Sequence, residues 1–286
     1  MSAVNYSDLD TRGFVVVPNV LSEQDVERIT LDYKRAKQSF DERGNANQNY
    51  NMLAGGPHKA SSKIAAVVDE INRATDIDID IIAGLCSYFD TSILQFGWHQ
   101  DHEPFFMWQL AREYVNFWIP LIKPKKEEAN VRVVPFDKLP EDFLTNHVFG
   151  RGAQRFESTA DRTVITSDDE GKQTTLEGVS FDHLFEIPEI GVGDALIMRG
   201  DLIHDTQRTK SFRVAVSIKA LNCYDRVVTR SKFFTGSNSK QNTINKNVDD
   251  YAHHLKKFNG EGVDSFCLRE LFPRAPIHYS EYKRLT

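Results

Sequence analysis

Two widely separated segments of the chain alternate with a period of two. In Val115-Asn116-Phe117-Trp118-Ile119 the odd positions are apolar and Asn116 points the other way. In Arg213-Val214-Ala215-Val216-Ser217-Ile218 two valines and an isoleucine alternate with Arg, Ala and Ser. Successive strand side chains point to opposite faces, so each segment reads as a strand with one oily face and one face of different chemistry. Other strand-length runs, rich in β-branched and aromatic residues, are Leu85–Phe89, Ser92–His99, Tyr114–Ile122, Val131–Val134, Ala195–Met198 and Phe212–Leu221. A shorter strand lies within Gly13–Leu21, where Pro18 breaks the run.

Two helices are expected ahead of these strands. Ser22 is the N-cap of the first, with Glu23 and Asp25 in its first turn. Val26, Ile29, Tyr33 and Ala36 share one face, and the helix ends near Phe40. Ser61 or Ser62 caps the second, whose stripe is Ile64, Val67, Val68 and Ile71. An amphipathic helix needs a surface to cover, so the expectation is a mainly β fold with flanking helices, an antiparallel barrel or sandwich with the helices on one face.

Composition narrows the function classes. No stretch reaches the ~20 apolar residues of a membrane helix, and Met1–Asp10 lacks the basic-then-apolar pattern of a signal peptide. A net charge of −6 argues against a general nucleic-acid binder. Cys86, Cys223 and Cys267 are scattered and odd in number, which suits a reduced, cytoplasmic protein better than a disulfide framework. The chain reads as one domain over 1–286, with a core at about 13–221. Residues 140–178 are charged and poor in apolar positions, a lid-like insertion. Residues 222–286 form a relatively basic C-terminal extension, with a mobile stretch at Gly236–Asn247 and a short helix at Val248–Phe258. The extension is a candidate homodimer contact.

His99-Gln100-Asp101 pairs an imidazole and a carboxylate at i and i+2, one face of a strand, and His204 follows far downstream after Gly193-Asp194-Ala195-Leu196-Ile197. Together they have the form of a facial 2-His-1-carboxylate iron site, which leaves coordination positions open. An HxD triplet alone arises often by chance. Arg213 strengthens the reading, because an arginine inside an otherwise apolar strand is costly to bury unless it meets an anion. A dicarboxylate would supply one in bidentate geometry. Arg208 is a competitor, but it falls in the polar turn Asp205–Lys210.

These segments resemble the phytanoyl-CoA dioxygenase family of Fe(II)/2-oxoglutarate-dependent oxygenases. The resemblance rests on Gly13–Pro18 with Leu21-Ser22-Glu23, on His99-Gln100-Asp101, on Val115–Leu121, and on Gly193–Ile197 through His204 to Arg213. It implies a double-stranded β-helix (jelly-roll, cupin-like) core, with His99, Asp101 and His204 as catalytic iron ligands and Arg213 on the distal carboxylate of 2-oxoglutarate. The cofactors it implies are Fe(II), 2-oxoglutarate and O2. A departure lies at Ala129-Asn130-Val131-Arg132-Val133-Val134-Pro135, where relatives carry a Gly-rich run.

Relatives that halogenate replace the carboxylate by a small residue, so Asp101 points to hydroxylation of an unactivated C–H in a small molecule, releasing succinate and CO2. Desaturation or ring formation by the same chemistry, and a non-catalytic cupin-like metal-binding module, are the alternatives. Asn116, inward with Trp118, is a candidate cosubstrate contact. His102, Phe105, Trp108 and Trp118 are candidate substrate contacts.

Overall fold

The structure, a computed structural model, describes residues 4–42, 52–53, 61–91, 96–101, 113–148, 154–167, 172–222, 226–228, 265–267 and 277–278. After one helical turn, α1 (Asp8–Thr11), come β1 (Phe14–Val17), α2 (Glu23–Glu42), β2 (Met52–Leu53), α3 (Ser61–Ala74) and β3 (Asp80–Asp90). Next are β4 (Tyr114–Ile122), β5 (Val131–Val134), β6 (Gln154–Ser158), β7 (Arg162–Ser167) and β8 (Gln173–Glu177). The chain continues through β9 (Ala195–Arg199), β10 (Ile203–Thr206), β11 (Val214–Leu221), β12 (Arg226–Val228), β13 (Ser265–Cys267) and β14 (Ile277–His278).

The strands stack as two layers. The larger sheet runs β1-β9-β4-β11-β3-β14, with β2 also on β3, and all its pairs but β14–β3 are antiparallel. The second layer holds the antiparallel pair β5–β10 and the meander β6-β7-β8. His99 joins them, bridging His204 on β10 and Arg155 on β6, while Glu186 bridges Val133 on the outer side of β5. The strand expected over Ser92–His99 is thus reduced to this bridge at His99 among the described residues, since 92–95 lie outside them. Two faces filled by alternate residues of antiparallel strands make a jelly-roll core with helices on one side.

Alternation fixes which side chain goes where. Val115, Phe117, Ile119 and Leu121 of β4, Val214, Val216, Ile218 and Ala220 of β11, and Ala195 and Ile197 of β9 face the helices. There they meet Ile29 and Tyr33 of α2 and Ile64, Val68 and Ile71 of α3. The intervening residues, Trp118, Ala215, Leu196 and Met198, face the second sheet, where Val133, Phe156, Ile165 and Ile203 complete another cluster. Each large side chain buried this way contributes about 1.5–3 kcal/mol.

α2 begins with a reciprocal cap: the Asp25 amide donates to Ser22 Oγ at 3.3 Å and the Ser22 amide to Asp25 Oδ2 at 3.2 Å. It is clamped to β3 by Tyr33 Oη, which donates to the buried Asp90 at 2.6 Å, and by Tyr88 Oη, which donates to Asp32 at 2.6 Å. Gly193 turns the chain into β9 with φ +83°, and a Cβ there would stand 2.8 Å from the Leu21 carbonyl oxygen.

Residues 140–178, expected as a lid-like insertion, carry the whole β6-β7-β8 meander, and Phe143, Val148, Phe156 and Ile165 enter the inter-sheet core. In the C-terminal extension β12 pairs with β13, and β14 returns to lie parallel to β3. The stretches expected to be mobile (236–247) and helical (248–258) lie outside the described residues. Among the described residues no helix is long and apolar enough to cross a membrane.

Candidate active site

His99 and His204 are direct cross-strand partners. The His99 amide donates to the His204 carbonyl at 2.9 Å and the His204 amide to the His99 carbonyl at 3.0 Å. Side chains of such a pair leave the sheet on the same face, and the imidazole centroids are 4.3 Å apart. Gln100, between the two HxD residues, turns to the other side. It is fully buried, and its amide donates to the carbonyls of Asp201 at 2.8 Å and Val148 at 3.2 Å. That anchor holds the segment flat, so Asp101 returns to the face of His99.

The donor atoms of His99, Asp101 and His204 all lie within 4.8 Å of one another, and His204 Nε2 is 3.7 Å from Asp101 Oδ1. Donors bound cis at ~2.1 Å to one ion would be about 3 Å apart, so small side-chain rotations close the set. The hydrogen bonds of the two rings suit a metal site. His99 Nδ1 is 2.7 Å from the Gly97 carbonyl oxygen and His204 Nδ1 is 2.9 Å from that of Leu202. A carbonyl only accepts, so these contacts favour the tautomer with the proton on Nδ1, the one whose Nε2 can take an ion. Both tethers run to residue i−2, so the local backbone itself sets the imidazole orientation.

The inward row of β11 faces this cluster. Arg213 is 3% exposed, and its Nη1 donates to the carbonyls of Ala129 at 2.8 Å and Asn130 at 3.3 Å. Its guanidinium lies 4.9 Å from the centroid of Trp118. Nε has no hydrogen-bond partner, and among the described residues no carboxylate forms an ion pair with it. Burial lowers the Arg213 pKa to about 10, with Asp90 pulling the other way, but Asp90 is itself engaged by Tyr33 and Lys37. Arg208, by contrast, is exposed. Ala129 holds the carbonyl that meets Arg213 by taking φ +55°. Lys123 stands near: burial, and then the Arg213 charge, bring its pKa down to about 8, while its ammonium donates to Ile190 O at 2.7 Å and Lys126 O at 3.1 Å.

The remaining sequence candidates divide. Asn116 is buried and donates from Nδ2 to Asp101 Oδ2 at 3.4 Å, while accepting from Ser217 Oγ at 2.7 Å. Trp118 is buried as the platform under Arg213. His102, Phe105 and Trp108 lie outside the described residues. One site-facing residue escaped the sequence reading: Lys219, 9% exposed, with its ammonium 3.5 Å from Asp101 Oδ2. Extending the β11 alternation one residue past Ile218 would have placed it beside Arg213, Ala215 and Ser217.

Behind the histidines, Arg132 on β5 is held between Trp98 at 4.7 Å and Phe185 at 5.0 Å and forms an ion pair with Asp205, its Nε donating at 2.6 Å. Burial pushes the Asp205 carboxyl up, and Arg132 opposes that. The pair locks β10 to β5 directly beneath His204.

A jelly roll carrying two histidines and a carboxylate on one inner face, with a buried arginine on the facing sheet, defines the class of iron- and 2-oxoglutarate-dependent oxygenases. The model of the phytanoyl-CoA dioxygenase (PhyH) family matches residues 9–215. The chain belongs to that family, and with it to the enzymes that use Fe(II), 2-oxoglutarate and O2. No curated protein is matched in sequence. Among solved structures, the non-heme monooxygenase ThoJ in its apo form aligns with TM-score 0.50 and 14% identity, covering 77% of each chain. The epimerase SnoN from nogalamycin biosynthesis aligns at 0.46 and 13%, over 82% of this chain and 88% of that one. HygX from Streptomyces hygroscopicus, with nickel and 2-oxoglutarate bound, gives 0.44 and 14%, over 77% and 87%.

Proposed function

We propose that the chain inserts oxygen into an unactivated C–H bond of a small molecule: R–H, 2-oxoglutarate and O2 give R–OH, succinate and CO2. The observation that carries the reading is the pre-set donor trio. Both Nδ1 atoms are tied to carbonyls, which leaves Nε2 of His99, Nε2 of His204 and Asp101 Oδ1 facing one point. His99, Asp101 and His204 would hold the iron, which when bound supplies the O2 activation that no side chain can perform. Asp101 favours hydroxylation because the carboxylate fills the position that a halide would otherwise need.

Arg213 would take the distal carboxylate of 2-oxoglutarate, through its orphan Nε and in the bidentate manner guanidinium favours. Trp118 fixes the plane of that guanidinium. Ala215 lies between Arg213 and Ser217 on the inward row of β11, where its small side chain would crowd a cosubstrate least. The aromatic wall around Trp98, Phe181 and Phe156 keeps water from the rear of the trio.

The test is an anaerobic titration of apo-protein with Fe(II) and 2-oxoglutarate, followed through the visible charge-transfer band of the chelate, then exposure to O2 with succinate measured. The expected result is a band in the wild type that is lost in His99→Ala and His204→Ala. A wild type that binds the metal without giving a band would refute the reading in favour of a metal-binding module. Product analysis with a converted substrate separates hydroxylation, a gain of one oxygen, from desaturation or ring closure, a loss of two hydrogens.

A further inference from the structure

The two oxygens of Asp101 keep different company. Oδ1 is the one turned to His204 Nε2, at 3.7 Å. Oδ2 receives the Asn116 amide at 3.4 Å and the Lys219 ammonium at 3.5 Å. Asn116 is in turn oriented by Ser217 Oγ at 2.7 Å, and Lys219 lies 5.6 Å from the centroid of Tyr114. These groups project from adjacent strands, because Lys219 of β11 is paired with Asn116 of β4.

A lysine here is not explained by stability. Burying an ammonium costs free energy that methionine, of similar length, would not. Among the described residues the carboxylate that Lys219 meets is Asp101, a group the metal would also claim.

We infer that Lys219 is a positioning residue that keeps Asp101 a one-oxygen ligand and leaves a positive charge beside the positions the cosubstrate enters. The inference rests on the iron and 2-oxoglutarate reading of the site. A carboxylate with both oxygens available can chelate an ion and fill a position that 2-oxoglutarate or O2 requires. With Oδ2 engaged by Lys219 and Asn116, Asp101 offers Oδ1.

Two consequences differ in sign. An ammonium near a divalent cation repels it and competes for its carboxylate, so removing Lys219 does not weaken metal binding. The dianionic cosubstrate loses both an open position and an attractive charge, so its binding falls. A lysine that merely filled space would behave otherwise, with its loss loosening metal and cosubstrate together.

The experiment compares wild type, Lys219→Met and Lys219→Arg, with apo-protein melting as the folding control. Anaerobic Co(II) titration reads metal affinity, and the intensity of its visible bands reads coordination number. Fe(II) with 2-oxoglutarate reads cosubstrate affinity. For Lys219→Met the expected result is Co(II) affinity equal to or above wild type, weaker visible bands from a higher coordination number, and 2-oxoglutarate affinity lower by about 10–100-fold. Lys219→Arg restores most of the cosubstrate affinity. An unchanged 2-oxoglutarate titration in Lys219→Met, or parallel losses of metal and cosubstrate affinity, overturns the inference. If Lys219→Met melts early, Lys219→Gln takes its place in the same comparison. A wild type without the Fe(II) charge-transfer band defeats the reading of the site instead, and the Co(II) intensities then decide the role of Lys219 on their own.

Discussion

Arg213→Met separates binding from folding, because the arginine acts on the two in opposite directions. Its pKa near 10, well below the ordinary arginine value, corresponds to about 3 kcal/mol against the charged form in the folded protein. That penalty is fully present at neutral pH, below both values, and fades only as pH rises through 10. Offsetting it, Nη1 donates to two carbonyls, and charged hydrogen bonds contribute about 1.5–3 kcal/mol each. Methionine removes the penalty and the bonds together, so the apo-protein should lose no more than about 3 kcal/mol of stability. Cosubstrate binding has no such cancellation. The orphan Nε and the open side of the guanidinium would make two charge-assisted bonds to the distal carboxylate, and after the cost of dehydrating a dianion a net loss of about 3 kcal/mol follows, or about 100-fold in affinity. The assay is thermal melting of anaerobic Fe(II)-loaded protein over a 2-oxoglutarate series, where stabilisation grows as RT ln(1 + [L]/Kd). The variant should need about 100-fold more 2-oxoglutarate for the same shift. Superimposable 2-oxoglutarate curves would refute the assignment of Arg213. An apo-variant destabilised by more than about 4 kcal/mol would refute the offsetting energetics.

Two further perturbations test the scaffold. Gly193→Ala places a Cβ 2.8 Å from the Leu21 carbonyl oxygen at φ +83°, so chemical denaturation should show a loss of at least about 2 kcal/mol. Lys63 and Ser22 hold the Asp25 carboxyl down at about 2, from its ordinary 3.8. That stabilisation, about 2 kcal/mol at most, is present above pH 4 and is lost as pH falls through 2, so the stability gap between wild type and Asp25→Asn should close over that window in an acid titration.

Much of the architecture was legible in sequence because period-two patterning is a direct image of a two-faced sheet. Tyr114–Ile122 and Val131–Val134 emerge with the expected ends, and the first long helix starts at its Ser22 cap. The signal failed where a strand contributes few apolar residues. Gln154–Ser158 offers a single one, Phe156, yet that ring is buried in the inter-sheet core, so a segment read as polar is part of the second layer. His99 sits at the converse limit: it belongs to the sheet through one bridged residue, which no propensity window resolves. For the site, the trio stood out by its HxD-and-distant-His spacing, and Arg213 because an arginine in an apolar strand is costly to bury. Lys219 did not, because a lysine near a strand end looks like any solvated lysine until the facing carboxylate is placed.

The reciprocal backbone bonds between His99 and His204 join positions 204 − 99 = 105 residues apart. Any ion held by both imidazoles is therefore a cross-link over a long loop, of the kind that restricts an unfolded chain most. His204 joins His99 and Asp101 only after distant strands have zipped together, so the complete trio does not exist in the unfolded chain. The same seam sets the order of loss on heating. Once the β10 edge parts from the HxD segment, an ion held there with its cosubstrate would lose its seat in one event, and metal release would report the opening of the jelly roll itself.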